Sequence, residues 1–178
     1  GAMREQQADG GEHKGEDKEP VAEILVALAE AEADLFRDPD GERFATVPVG
    51  EHYETYPILE RGGGGLRDWL VRRYRELKDK TPHTTAVGQA LVALVAEAGI
   101  APVKQVGLRV AEAEGAIWLD LGNAAFEAVR VTRDGWTVTT DLPDTLRFRR
   151  PNGMRPLPRP ERGAGSLLEL RGFVNPAE

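Results

Sequence analysis

Asp120 is the one carboxylate set within an apolar hairpin pattern, IWLDLG, where a catalytic acid or a metal ligand would be expected. Metal-dependent hydrolases and polymerases gather two or three carboxylates around their ions, and no second acid accompanies Asp120 at such a spacing. The residue therefore reads as the owner of a local hydrogen bond or salt bridge. An enzyme centred on it needs another titratable group beside it in a pocket. His13, His52 and His83 fall in a tail, a hairpin and a loop, without HExxH or comparable spacing, so no metal site is expected. The chain has no cysteine, which removes disulfides, thiolate ligands and a thiol nucleophile. Gly62 to Gly65 is followed by Leu66-Arg67-Asp68 and not by Gly-Lys-Ser/Thr, so it reads as a loop ahead of a helix and no cofactor is expected.

Arginine offers the better chemistry. Residues 147 to 171 hold seven arginines against Glu161 and Glu169, whereas residues 1 to 42 hold thirteen acidic and four basic residues in a chain of net charge -7. A local guanidinium field can bind a polyanion on an acidic protein. Arg147, Arg149, Arg150 and Arg155 in the tail, Arg67, Arg72 and Arg75 on a helix, and Arg130 and Arg133 in a hairpin are the candidate phosphate contacts. Trp118 and Trp136 are candidate stacking faces for bases, against the ordinary reading of Trp118 as core. In the competing reading the arginines dock onto acidic helices of the same chain, above all the first, or onto a neighbouring domain.

The elements that must position these groups follow from periodicity. Val21, Ile24, Leu25, Leu28 and Leu35 predict a helix over 20–36 that stops before Asp38-Pro39-Asp40-Gly41. Phe44 to Val49 and His52 to Ile58, joined at Gly50-Glu51, predict a hairpin that Pro48 and Pro57 push toward a sheet edge. Leu66, Trp69, Leu70, Arg73, Tyr74 and Leu77 mark a second helix, with Arg67, Arg72, Arg75 and Lys78 opposite; Leu91, Leu94, Val95 and Ala98 mark a third, capped by Thr84 or Thr85 and stopped at Gly99. This pair resembles a helix-turn-helix unit, but Val87 to Ala98 carries no basic residue and only Gln89 as a base reader.

From Val103 the period becomes two. Val106, Leu108 and Val110 lead through a loop at Glu112 to Gly115 into Ile117, Leu119 and Leu121; Val129 and Val131 then pair across Asp134-Gly135 with Trp136 and Val138. Arg147 to Arg150 predicts one more short strand, Pro151 to Pro160 an extended path, and Ser166 to Leu170 a last helical turn. The expected fold is α+β, about three helices packed on a small antiparallel β-sheet built from hairpins. Residues 1–19 are expected to be a disordered acidic tail with a tag remnant at Gly1-Ala2-Met3, and residues 20–176 a single domain. No membrane span or signal peptide is read, so the expected location is cytoplasmic and no membrane partner is expected.

The segments ADLFRDPDGERFATVPVGEHYETYPI, LRDWLVRRY, AIWLDLGNAAFEAVRVTRDGWTV and RFRRPNGMRPLPRPERGAGSLLELRGFVN, in that order, resemble a region ahead of the ATPase core in helicase-like, ATP-binding replication proteins of phages, plasmids and integrated elements. The resemblance runs over about residues 20–176, with Tyr56, Trp69, Tyr74, Asp120, Gly135, Trp136, Arg149, Arg150 and Pro151 at its characteristic places. It implies an accessory module of a replication ATPase or primase, with the Walker-type core following Asn175, and it assigns no catalytic residue. The expected function is thus non-catalytic: binding nucleic-acid backbone, single-stranded or duplex DNA, or positioning the adjoining motor. The alternatives are a protein-interaction scaffold that never touches nucleic acid and an enzyme centred on Asp120.

Overall fold

The computed structural model describes residues 20–60 and 64–163. The expected tail over 1–19, Gly62 and Gly63 of the glycine run, and the expected turn at Ser166 to Leu170 lie outside the described residues. Pro20 begins the first helix, α1 (Val21–Glu32): its fixed φ of -57° suits the entry, and its carbonyl accepts from the amides of Glu23 and Ile24. α1 is shorter than the periodicity predicts. Ala33 turns the backbone extended, and Leu35 belongs to a strand, β1 (Asp34–Arg37), which pairs antiparallel with β2 (Arg43–Val49). The tertiary contact outweighs the helical stripe here, because Phe36 stacks on its cross-strand partner Phe44 with ring centroids 5.6 Å apart.

β2 continues through Gly50-Glu51 into β3 (His52–Pro57), giving the order β1-β2-β3. Pro57 lies on the edge strand, as a residue without an amide donor should. Pro48 lies on the central strand, two residues beyond the last β1 pair, where β2 has β3 alone as a neighbour. Helix α2 (Leu66–Lys78) starts at Gly65, whose φ is +50° and where a Cβ would meet the Tyr56 ring at 2.9 Å; the glycine run is therefore a close-approach site as well as a loop. α2 ends on Asp79 in the left-handed conformation. The last helix, α3 (Thr84–Ile100), has His83 at its N-cap and no side-chain cap bond, so neither threonine caps it, and it runs one residue past Gly99.

The three helices close over the first sheet. Leu25 and Ala29 of α1, Leu66, Trp69 and Leu70 of α2, Leu91 and Leu94 of α3, and Ala45 and Val47 of β2 form one buried cluster. The indole N–H of Trp69 donates to the Pro48 carbonyl at 2.9 Å, so the polar atom of this core residue is satisfied. Leu77 stands exposed, off the stripe to which its spacing assigns it.

The second half of the chain forms β4 (Gln105–Gly107), β5 (Val110–Ala113), β6 (Ala116–Asp120), β7 (Ala128–Thr132), β8 (Gly135–Thr139) and β9 (Leu146–Phe148). β5 to β8 make a four-stranded antiparallel meander. Its first turn, Glu114-Gly115, has both residues at positive φ, the type I′ pattern that matches strand twist. Its last turn is Arg133-Asp134, one residue earlier than the Asp-Gly signal suggests, since Gly135 already pairs with Thr132. β4 and β9 pair parallel, not antiparallel, because the chain returns to β4 only after the whole meander. An isolated parallel bridge between Arg37 and Val103 ties this pair to the end of β1. The protein is thus a small α+β fold with three helices packed against antiparallel sheets of short strands, but the strands divide into three sheets where one is expected.

Candidate functional site

A cavity of about 620 Å³ lies where β1, β3, the β6–β7 loop and β9 meet, lined by His52, Thr55, Asp120, Phe126, Arg147 and Arg150 among others. Alternation on β6 turns Trp118 and Asp120 to the inner face, and Asp120 is 2 % exposed. Arg150, two residues past β9, reaches it with both arms of its guanidinium. Nε donates to Oδ2 at 2.8 Å and Nη2 to Oδ1 at 2.6 Å, while Nη1 donates to the Asn123 carbonyl at 2.7 Å. The Gly122 amide adds a bond to Oδ1. A buried carboxylate held by a bidentate arginine is the geometry of a structural ion pair, in keeping with the salt bridge read from the sequence.

Phe126 closes this corner. Its ring stacks on His52 at 3.9 Å and lies 4.0 Å from the Arg150 guanidinium, and its backbone is in the left-handed region at φ +54°. An aromatic residue at positive φ carries strain of about 1–3 kcal/mol, which the surrounding contacts must offset. His52 in turn shares a hydrogen bond with Glu54, whose other oxygen accepts a short bond from the Tyr56 hydroxyl. Burial pushes the Glu54 carboxyl up, but the Tyr56 and His52 bonds and the nearby Arg72 charge outweigh it and leave it below the usual carboxylate value. Burial and the bond to Glu54 push the Tyr56 phenol upward.

A second polar cluster joins the two halves. Buried Lys104 donates to Asp34 at 2.8 Å and Asp144 at 2.9 Å, and Arg147 reaches the same two carboxylates at 3.0 Å each. These donors hold the Asp144 carboxyl below its ordinary range. Arg147 and Arg150, expected to face phosphate, are therefore internal: both are matched with carboxylates of the same chain. Arg159 likewise bonds Glu127. The partners are strand and loop acids, not the first helix, where Glu32 instead pairs with Arg73.

The remaining arginines separate into groups. Arg67, Arg72 and Arg75 line one shallow depression on α2 together with Asp68, Glu76 and Asp79, and Glu76 is already bound to Arg73. Arg130 and Arg133 are exposed on the β7–β8 hairpin, Arg149 is half-buried beside β9, and Arg155 is exposed with its carbonyl accepting from Arg109. No carboxylate lies within ion-pair distance of these seven arginines among the described residues. Trp118 is not a stacking platform: it is 4 % exposed, and its indole donates to the Ala113 carbonyl. Leu146, Phe148 and alanines bury it, not the helices. Trp136 is half-buried on the opposite face, with the Arg162 guanidinium 5.8 Å from its ring.

Sequence reasoning missed Lys104, Asp34 and Phe126, whose partners lie far off in the chain; only the i,i+3 spacing of Asp144 and Arg147 was a local signal. Among the described residues no group of three or more acidic or histidine side chains is placed to hold a metal ion, and no helix is long and apolar enough to cross a membrane. In comparison with protein-family models, curated proteins and solved structures, the chain matches none.

Proposed function

We propose that this chain is a non-catalytic accessory module that holds nucleic-acid backbone through the arginines of α2, beside the motor of a mobile-element replication ATPase in the cytoplasm. The observation that carries this reading is the convergence of Arg67, Arg72 and Arg75 on one side of a single helix, with none of the three in an ion pair among the described residues. The tail arginines lend it less support, since Arg147 and Arg150 serve the fold. The resemblance to a region ahead of an ATPase core gives the motor and the DNA as partners. Guanidinium groups on a solvated helix contact phosphate without reading bases, so affinity is sequence-independent and salt-dependent.

Gel shift with single-stranded and duplex DNA over a salt series tests this. Arg72→Ala/Arg75→Ala is expected to lower the slope of log affinity against log salt by about two, near one unit per lost phosphate contact. Absence of any shift at low salt overturns the proposal in favour of a scaffold that contacts protein alone.

A further inference from the structure

The first sheet carries helices on one face only. Ala45 and Val47 of β2 point into the helical core, so Thr46 between them points the other way, toward the second half of the chain. Register sets Asp34, Thr46 and Thr55 in one row across β1, β2 and β3, with Tyr53 on the same face two residues back along β3. All four line the cavity of about 620 Å³, whose opposite wall is formed by Asp120, Ala128, Phe148 and Arg150. That volume falls within the ~300–1,000 Å³ of small-molecule sites.

The walls hold hydrogen-bonding capacity that the fold does not use. Thr46 and Thr55 are each 7 % exposed, and their hydroxyls share one bond of 2.9 Å. Two hydroxyls carry two protons, so one proton has no acceptor among the described residues. A buried donor left open costs free energy and calls for a partner. Across the gap Arg150 commits three of its five N–H groups to Asp120 and the Asn123 carbonyl, and two remain. At the rim Glu51 and Asp141 are in no ion pair among the described residues, and their oxygens are open acceptors.

This lining discriminates between ligand classes. Five carboxylates against two guanidinium groups repel an anion. An organic cation would meet Arg147 and Arg150 and would find no aromatic cage, because Phe126 already has His52 on one face and the Arg150 guanidinium on the other. An apolar molecule would leave the threonine proton and the Arg150 N–H groups unpaired. A neutral polyhydroxylated molecule meets every demand, since each of its hydroxyls both donates to a carboxylate and accepts from threonine or arginine. Its C–H face has Tyr53 to rest on, a ring 67 % exposed.

We propose that the cavity between the two halves binds a neutral mono- or disaccharide, with the threonine pair and Arg150 donating to its oxygens, Glu51 and Asp141 accepting from its hydroxyls, and Tyr53 against its ring. This is independent of the α2 reading, because no residue of that helix lines the cavity. Saturation-transfer NMR of the full chain with D-glucose, D-galactose and maltose, each at about 10 mM and so well above a dissociation constant of ~1 mM, tests it. Transfer to the ring C–H protons of at least one sugar is expected. Tyr53→Ala alters an exposed rim residue and is expected to lower that transfer severalfold with an unchanged far-ultraviolet spectrum. Thr46→Val/Thr55→Val removes both hydroxyls, keeps the branched shape, and is expected to lower it as far. Absence of transfer to all three sugars overturns the proposal, as does transfer that survives either variant, which puts the sugar elsewhere on the surface. Transfer to tetramethylammonium or acetate and to no sugar also overturns it, and assigns the cavity to an ion.

Discussion

The two hydrophobic clusters of this molecule are built from different side chains. The first is filled by Leu25, Leu66, Trp69, Leu70, Leu91 and Leu94 under three helices. The second is lined by Ala111, Ala113, Ala116 and Ala128 around Trp118, Leu146 and Phe148, with no helix among its described residues. Small residues let β4, β5 and β9 approach closely: a Cβ on Gly107 would stand 2.6 Å from the Phe148 ring and 3.0 Å from the Ala111 Cβ. But alanine buries little apolar area, about 25 cal/mol for each Å² removed from water. The first region holds itself together by burial, and the second depends on ion pairs, on the returning tail and on its junction with the first. Charge that a function-minded reading assigns to DNA is thus partly structural.

That contrast breaks most readily at Trp69. Trp69→Ala removes the largest side chain of the first cluster and frees the Pro48 carbonyl, and it is expected to cost about 3–5 kcal/mol in denaturant unfolding. Loss should appear in hydrogen exchange at α1, α2 and α3 together, since all three meet at that cluster. Protection retained in two of the helices would mean that the cluster is not one cooperative unit.

Next in size is Asp120→Ala, which leaves the Arg150 guanidinium half-buried without its carboxylate. About 3 kcal/mol is expected, the low end for breaking a buried pair, because the Arg150 side chain keeps 20 % exposure and the Asn123 carbonyl. The double variant Asp120→Ala/Arg150→Met is expected to recover much of this, as removal of both charges ends the mismatch. A double variant no more stable than the single one would show that the pair does more than hold the β6–β7 corner. A smaller loss, about 1–3 kcal/mol, is expected for Gly107→Ala, where the Phe148 ring has to move aside. It should fall on β4, β5 and β9 and leave the helices protected, a sharper measure of how separately the two regions open.

Local signals in the sequence reach the features made by neighbours in the chain. The β2–β3 hairpin, the β7–β8 pairing of Val131 with Trp136, the α2 stripe and the burial of Trp69 all follow from period and turn residues within about twenty positions. β1 and the β4–β9 pair do not. Leu35 fits a helical stripe as well as a strand, and four or three residues give no period to tell them apart. The site is less legible still, since Arg147 meets Asp34 across 113 positions and Arg150 meets Asp120 across 30. An arginine count along the chain carries no information on which guanidinium groups the folded chain neutralises. Alternation does place Asp120 and Trp118 on one face of β6, and only the partners remained open.

The smallest effect lies at the edge between the regions, where Glu54 accepts from Tyr56 and shares a bond with His52, itself stacked on Phe126. Burial raises the Glu54 carboxyl, yet the two hydrogen bonds prevail and its folded value lies below the unfolded 4.5. The sign follows from proton binding: the unfolded chain takes up its proton first as pH falls. Glu54 therefore adds stability above the unfolded value, and that contribution fades as pH drops from there through the lower folded value. Unfolding followed between pH 6 and pH 3 is expected to show this loss in the native chain and a shallower one in Glu54→Gln, which keeps an acceptor for Tyr56 but cannot titrate. Identical slopes would place the acid sensitivity elsewhere, with Asp144 and Glu127 next in line, since their cationic or amide partners also hold them low. If those two carry it, the tail and the Lys104 cluster, and not the β3 edge, are what acid loosens first, and the second region should open before the helical one.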